Sequence, residues 1–216
     1  MMFLQRFCFG GKSDRKWTDA FARCKSHWDL HKHGIKDIQA YENGEVLFIV
    51  VDTLEGKSRN QLQGVISGMV RGDKEMAFLG QLMGNGFFSA LDRIFTKNNV
   101  QELKDVEPCK RIAMALKLKK DPFLLEEYKE IHAPNRIWPQ VLDNMDAMGI
   151  KDMELYLMGY QAFLIMDVPP NFDLEKQGAI WSQLPQEADW QQYVSKFQEV
   201  NPHSNAVDKW KVVEQV

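Results

Sequence analysis

The chain reads as an α+β protein built from two tandem ferredoxin-like (βαββαβ) units. Three features predict this fold class: a block that recurs at a fixed distance, a glycine-turned hairpin inside each copy of that block, and helical periodicity on either side of the hairpin.

The recurring block is Gly34-Ile35-Lys36-Asp37, which returns 115 positions later as Gly149-Ile150-Lys151-Asp152. The same offset pairs Tyr41 with Tyr156, Gly44 with Gly159, Phe48 with Phe163 and Asp52 with Asp167. Chance does not hold one register over so many identities, so the expected units are residues 1–105 and 106–216.

Each unit should open on a strand, Phe3–Phe9 or Ile112–Leu118. A helix follows. In the first unit, Trp17, Phe21, Cys24 and Trp28 fall at helical spacing in one uninterrupted run; in the second, Leu124, Tyr128 and Ile131 do so. The second run is broken at Ala133-Pro134 and restarts at Trp138-Pro139, with Leu142, Met145 and Met148 in step, because proline suits a first turn and not a helix interior. The hairpins are Asp37–Tyr41 with Val46–Val51 around Asn43-Gly44, a dipeptide suited to a type I′ turn, and Met153–Leu157 with Ala162–Val168 around Gly159. More helical sequence leads to short closing strands, Ala90–Phe95 and Trp210–Val213. This order gives an antiparallel sheet with helices on one face. Two such units can cover each other's bare sheet faces, building within one chain what a single-copy relative builds as a homodimer.

Composition narrows the partners. Of 216 residues 44% are hydrophobic, enough for a core, and 27 basic and 30 acidic residues are mixed along the chain with a net charge of −3. That leaves no electrostatic footprint for nucleic acid or an anionic membrane. Cys8, Cys24 and Cys109 form neither an even disulfide framework nor a metal-ligand spacing, and are expected as unbridged thiols in a reducing compartment. Met1–Phe9 is broken by Arg6 and reads as a strand rather than a signal peptide, and no run approaches the ~20 apolar residues of a membrane span. The expected location is the cytoplasm.

Candidate chemistry concentrates in the second unit. Tyr128 and His132 are four residues apart on one helical face, and His132 falls at the helix end beside the break. Strand alternation puts Asp152, Glu154 and Tyr156 on one sheet face and Met153, Leu155 and Leu157 on the other. If the former face meets the helix end, Glu154 and His132 form an acid/base pair. Each residue also has a plainer role open to it: a helix-end histidine caps carbonyls, Tyr128 is a core aromatic, and Glu154 is a solvated charge. The stripe Trp190, Tyr193 and Phe197 is core first and sugar platform second. His27, His31 and His33 lie among lysines and read as a solvated helix end rather than a metal site, and Gly84-Asn85-Gly86 reads as a turn and not a nucleotide loop.

Tyr128-Lys-Glu-Ile-His132, Ile137-Trp138-Pro139, Gly149-Ile-Lys-Asp-Met-Glu-Leu-Tyr156 and Phe163-Leu-Ile-Met-Asp167 together resemble the L-rhamnose mutarotase family over Lys110–Val216, and within it the branch associated with L-fucose. The resemblance implies a ferredoxin-like fold that pairs into a dimeric α+β barrel, here within one chain and so compatible with a monomer. It implies His132 as acid/base and Tyr128 as a sugar contact, with no metal or organic cofactor. With Glu154 as second proton carrier, and Tyr156, Trp190 and Trp138 lining the pocket, the expected activity is interconversion of the α and β anomers of a 6-deoxy monosaccharide. Five residues separate His132 from Trp138-Pro139, where the family pattern has three, and Ser195 stands where an aromatic is expected. The first unit carries no Tyr-x-x-x-His before Trp-Pro and is expected to be structural. Two other readings stand beside the mutarotase: a non-catalytic sugar-binding or regulatory module, and another enzyme of the same architecture such as a cofactor-free oxygenase.

Overall fold

A computed structural model describes residues 5–13, 15–54, 56–74, 76–77, 89–98, 109–199 and 209–216. In chain order the elements are β1 (Gln5–Lys12), α1 (Arg15–Lys25), a 3-10 turn (His31–His33), β2 (Ile35–Glu42), β3 (Val46–Thr53), α2 (Arg59–Gly72), β4 (Ser89–Ala90), β5 (Asp92–Thr96), β6 (Lys110–Lys117), α3 (Pro122–His132), α4 (Pro139–Ala147), β7 (Asp152–Met158), β8 (Gln161–Val168), α5 (Leu174–Trp181), α6 (Glu187–Ser195), β9 (Lys211–Val212) and β10 (Glu214–Gln215). They form two compact units. The first comprises the described residues up to Leu91 with Val213–Val216; the second runs from Asp92 to Asn98 and from Cys109 to Val212.

The first unit holds an antiparallel sheet of order β10-β2-β3-β1-β4, and the second one of order β5-β7-β8-β6-β9. Set aside the outermost strand beside each hairpin, and both sheets have the 2-3-1-4 strand order of a ferredoxin-like unit. The fold class is therefore α+β, as the sequence predicts.

Hydrophobic periodicity explains the core of each unit. On α1, Trp17, Ala20, Phe21 and Cys24 are buried and pack on Ile38, Ala40, Ile49 and Val51 of the sheet. Ser58 starts α2 with a reciprocal capping box to Gln61, and Leu62 and Ile66 seat that helix. In the second unit the helix side of the sheet is Met114, Leu116, Met153, Leu155, Leu157, Leu164 and Met166, packed beneath Tyr128, Val141, Met145, Trp190 and Val194.

The repeat positions adopt matching geometry. Gly34 and Gly149 both have positive φ (63° and 71°), as do Gly44 and Gly159 (83° and 56°). Arg6 pairs across the sheet with Asp52 at 2.8 Å in the first unit, and Arg111 with Asp167 at 2.9 Å in the second. The Tyr41 hydroxyl donates to Gln39 Oε1 at 2.7 Å, and the Tyr156 hydroxyl to Glu154 Oε2 at 3.1 Å.

The structure departs from the sequence reading at four places. Helix α1 ends at Lys25 rather than reaching Trp28, because the N–H groups of His27 and Trp28 donate only three residues back, to Cys24 and Lys25, before the chain enters the 3-10 turn. The first hairpin is not type I′, since among its loop residues Gly44 alone has positive φ; the Asn43 side chain accepts from the N–H groups of Glu45 and Val46 and closes the loop. Strand β1 runs on to Lys12, with Phe3 and Leu4 outside the described residues. Each closing strand is two short strands, split at Leu91 and at Val213. At Leu91 the N–H donates to the Cys8 carbonyl and the carbonyl accepts from Arg59, so the chain is anchored on the first sheet before β5 joins the second. None of the three cysteines is in a disulfide. The Gly84–Gly86 turn lies outside the described residues. No described helix is long and apolar enough to cross a membrane.

Candidate active site

Local chemistry puts His132 where it is. Asp121 caps α3, accepting from the N–H groups of Phe123 and Leu124, and Pro122 occupies the first turn. At the other end Pro134 forces Ala133 out of the helical region, to φ −63° and ψ 153°, so His132 is the last helical residue. A turn closed by Arg136 N–H on the Ala133 carbonyl, with Asn135 at φ 67°, brings the chain to Trp138, whose extended backbone before Pro139 starts α4.

His132 is 8% exposed, and its Nδ1 lies 2.7 Å from the Tyr128 carbonyl oxygen. A carbonyl only accepts, so Nδ1 carries the hydrogen and Nε2 is left as the basic nitrogen. Burial lowers the imidazole pKa to about 4, with the hydrogen bond to the Tyr128 carbonyl opposing part of that effect. Burial likewise pushes the Tyr128 phenol well above its ordinary range. The ring stands over Tyr128 at 4.3 Å between centroids and meets Trp190 edge-on at 5.6 Å; Trp190 packs on Trp138 at 5.4 Å, and Trp138 stacks on Tyr193 at 5.8 Å.

This cluster borders a cavity of about 610 Å³ between the helix side of the second sheet and α3–α6. Met114, Met153 and Met166, with Leu155, Leu164 and Phe95 beside them, make one adaptable apolar wall on the sheet, and Met145 lines the cavity from α4. Polar groups are few: His132, Glu187, Gln191, Ser182 and the rim residue Glu175. The lining thus has the makeup of a small-molecule site, mostly apolar with a few placed polar groups.

A model of the L-rhamnose mutarotase family matches residues 111–216, the stretch that supplies nearly all of this cavity. Residues 111–216 are a domain of the L-rhamnose mutarotase family. An L-fucose mutarotase of Xanthomonas campestris pv. campestris is 27% identical over 101 residues, covering 47% of this chain and 81% of that protein. A UPF0734 protein of Dictyostelium discoideum is 32% identical over 91 residues, covering 42% and 71%. A crystal structure of an anthrone oxidase-like protein covers 100% of this chain and 93% of its own at TM-score 0.51 and 11% identity, a likeness of fold alone.

The six site residues expected from sequence divide into two groups within the mutarotase-family unit. His132 and Trp190 line the cavity, with Tyr128 and Trp138 packed behind them. Glu154 and Tyr156 are not brought to His132. Alternation along β7 turns Met153 and Leu155 to the cavity and Glu154 and Tyr156 to the opposite sheet face, where Glu154, fully buried, meets Arg93 at 2.6 Å and the Tyr156 hydroxyl at 3.1 Å. The acid/base pairing of Glu154 with His132 is thereby corrected: the helix end covers the other face of the sheet.

Sequence reasoning missed the carboxylate that does share the cavity. Glu187 is 4% exposed; its Oε1 accepts from Gln191 Nε2 at 2.8 Å and its Oε2 from Asn144 Nδ2 at 3.3 Å. The signal was available, because Glu187, Trp190 and Gln191 fall at i, i+3 and i+4, so the face that carries Trp190 also carries Glu187. Among the described residues no group of three or more His, Cys, Asp and Glu is arranged to hold a metal ion.

Proposed function

We propose that this protein is a monosaccharide mutarotase acting on a 6-deoxy sugar of the L-fucose or L-rhamnose type. The observation that carries the reading is His132, a neutral imidazole with its free basic nitrogen at a cavity of small-molecule character, in the half of the chain that belongs to a mutarotase family. The names of the family and of the Xanthomonas relative support the substrate class, and the methionine wall offers a surface for the sugar's methyl group.

Anomer exchange needs little else. His132 Nε2 takes the proton of the anomeric hydroxyl as the bond from C1 to the ring oxygen breaks, and the ring oxygen takes a proton from a water molecule, which recovers one from the imidazolium. C1 is then an aldehyde, free to rotate about its bond to C2. Reclosure from the other face returns a proton to the anomeric oxygen and removes one from the attacking hydroxyl. The imidazole ends as it began, and neither metal nor redox chemistry enters the balance. A positioned base supplies on the order of 10²–10⁴-fold, a useful gain over a reaction that already proceeds in water.

The first unit reads best as a second copy of the same unit with a structural role, supported by its matching glycine conformations and Arg–Asp pair and by the helix α1, which carries no counterpart of Tyr128 and His132. The test of the whole reading is exchange NMR of L-fucose and L-rhamnose with the wild-type chain and His132→Ala at neutral pH. Acceleration that disappears in the variant is the expected result; a folded wild-type chain that accelerates neither sugar leaves a binding module.

A further inference from the structure

Every cavity residue that the second sheet contributes is apolar: Phe95, Met114, Met153, Leu155, Leu164 and Met166. The polar lining residues, His132, Glu175, Ser182, Glu187 and Gln191, all stand on α3, α5 and α6 or at their ends. All of the sheet residues but Phe95 lie within the stretch that matches the family model. Phe95 comes from β5, part of the closing strand of the first repeat in sequence.

A specific device brings Phe95 to the cavity. Arg93 and Phe95 are two positions apart and would share one face of a regular strand. In β5 they do not: Arg93 stands opposite Tyr156 and Phe95 opposite Leu155, with Ile94 as the extra residue of a bulge. Bulges of this kind re-aim a side chain. This one leaves Arg93 on Glu154 and turns Phe95 to the cavity face that Leu155 shares. Beyond the bulge the chain is pinned. The Lys97 N–H donates to the Met153 carbonyl at 2.8 Å, Lys97 Nζ pairs with Asp146 at 2.6 Å, and Asn98 Nδ2 donates to the Lys151 carbonyl at 2.8 Å. Helix α3, which ends at His132, packs on β5. Phe95 is thus an aromatic ring on fixed backbone, 6% exposed at the cavity it lines.

From this we infer that Phe95 is a specificity-determining residue, the part of the site that the first repeat supplies, and that it limits what the sugar carries at C5. The inference rests on the mutarotase reading for the choice of sugar. A 6-deoxy sugar has a methyl group at that place, which the sheet wall of Phe95, Leu155 and the methionines accepts. Its counterpart with a hydroxyl on the same carbon is larger by one oxygen, and buries that hydroxyl where the described sheet residues offer no partner. Truncating Phe95 opens room there for the hydroxyl and a water.

The test uses the full chain and two pairs of sugars that differ only at that carbon, L-fucose with L-galactose and L-rhamnose with L-mannose. For wild type, Phe95→Leu and Phe95→Ala, anomer exchange and ligand-observed binding are measured by NMR, and each pair is expressed as a ratio, which a loss of folded protein does not move. Wild type should favour the 6-deoxy sugar. Phe95→Ala should lower that preference about tenfold, the scale of one group gained or lost in an apolar pocket. Phe95→Leu should lower it by a smaller factor, with KM for the 6-deoxy sugar changed more than kcat in both variants. A preference that does not move in Phe95→Leu or in any folded Phe95→Ala overturns the role of Phe95, and exchange that persists in those samples leaves the mutarotase standing. A wild-type chain that binds the sugars without accelerating exchange sinks the mutarotase alone, and the binding ratios then decide Phe95 by the same measure. A folded wild-type chain that binds none of the four sugars, or that prefers neither member of a pair, overturns the inference outright.

Discussion

His132 donates its Nδ1 hydrogen to the carbonyl of Tyr128, one turn back on its own helix, at 2.7 Å. That bond and the surrounding burial settle the pH behaviour. With its pKa lowered to about 4 against an ordinary 6.5, the imidazole is neutral in the fold at pH values where an exposed histidine is charged. Between these values the unfolded chain binds the extra proton, so stability rises with pH. The contribution, of order 3 kcal/mol, is fully present above pH 6.5, is lost as pH falls toward 4, and changes no further below that. For catalysis, kcat/KM corrected for the spontaneous rate should be level from pH 7.5 down to about 5 and then fall. An inflection near 6.5 would contradict the buried, neutral base.

Trp190 holds the far edge of that imidazole and bridges it to Trp138. Trp190→Ala removes a residue only 6% exposed, and should cost about 3 kcal/mol, the lower end for a buried tryptophan because one side already faces the cavity. Trp190→Phe should recover most of the stability. If Trp190 is also a sugar platform, KM rises in both variants; unchanged KM in the phenylalanine variant would restrict Trp190 to packing. Denaturant melts and steady-state anomer exchange separate the two effects.

What was legible in the sequence was periodic. Hydrophobic spacing located the helices, glycines at one offset located both hairpins, and Pro134 and Pro139 located the two helix ends that frame His132. What was not legible depended on which sheet face the helices cover. Alternation along β7 correctly separated Glu154 from Met153 and Leu155, but a strand with Tyr156 and Glu154 on one side and methionine and leucine on the other gives no sign of which side is helix-covered when both are buried. The split at Leu91 was hidden for a similar reason. Ala90-Leu91-Asp92-Arg93-Ile94-Phe95 carries no glycine or proline to mark a break, and only the bonds of Leu91, its N–H to the Cys8 carbonyl and its carbonyl to the Arg59 guanidinium, reveal where one sheet stops and the next begins.

Gly149 ends α4 with φ 71°, and an added Cβ would meet only Pro169 Cγ at 3.8 Å, an ordinary contact. The cost of Gly149→Ala is then backbone strain alone, about 1–2 kcal/mol. Gly149→Asn should cost less, because asparagine tolerates the left-handed region. Equilibrium denaturation of the two variants gives the comparison; equal costs would point to packing rather than φ as the reason for glycine.

The two units fill equivalent sheet positions with different chemistry. In the second, Arg93 stands opposite Tyr156 and binds Glu154; in the first, Gln215 stands opposite Tyr41, whose hydroxyl binds Gln39. A charged pair in one is matched by amides in the other. Arg93→Gln should therefore be the more damaging change of this pair, about 2–3 kcal/mol, because it takes the guanidinium from a carboxylate with no exposed surface, moderated by water reaching the 40% exposed Arg93 side chain. Glu154→Gln should cost about 1–2 kcal/mol, and the double variant, which copies the first unit, less than the sum, with the difference measuring the pair's coupling. Anomer exchange should persist in Glu154→Gln, since this side chain lies across the sheet from His132. Loss of exchange without loss of stability would return Glu154 to the chemistry and require the sheet to present it to the cavity in the working state.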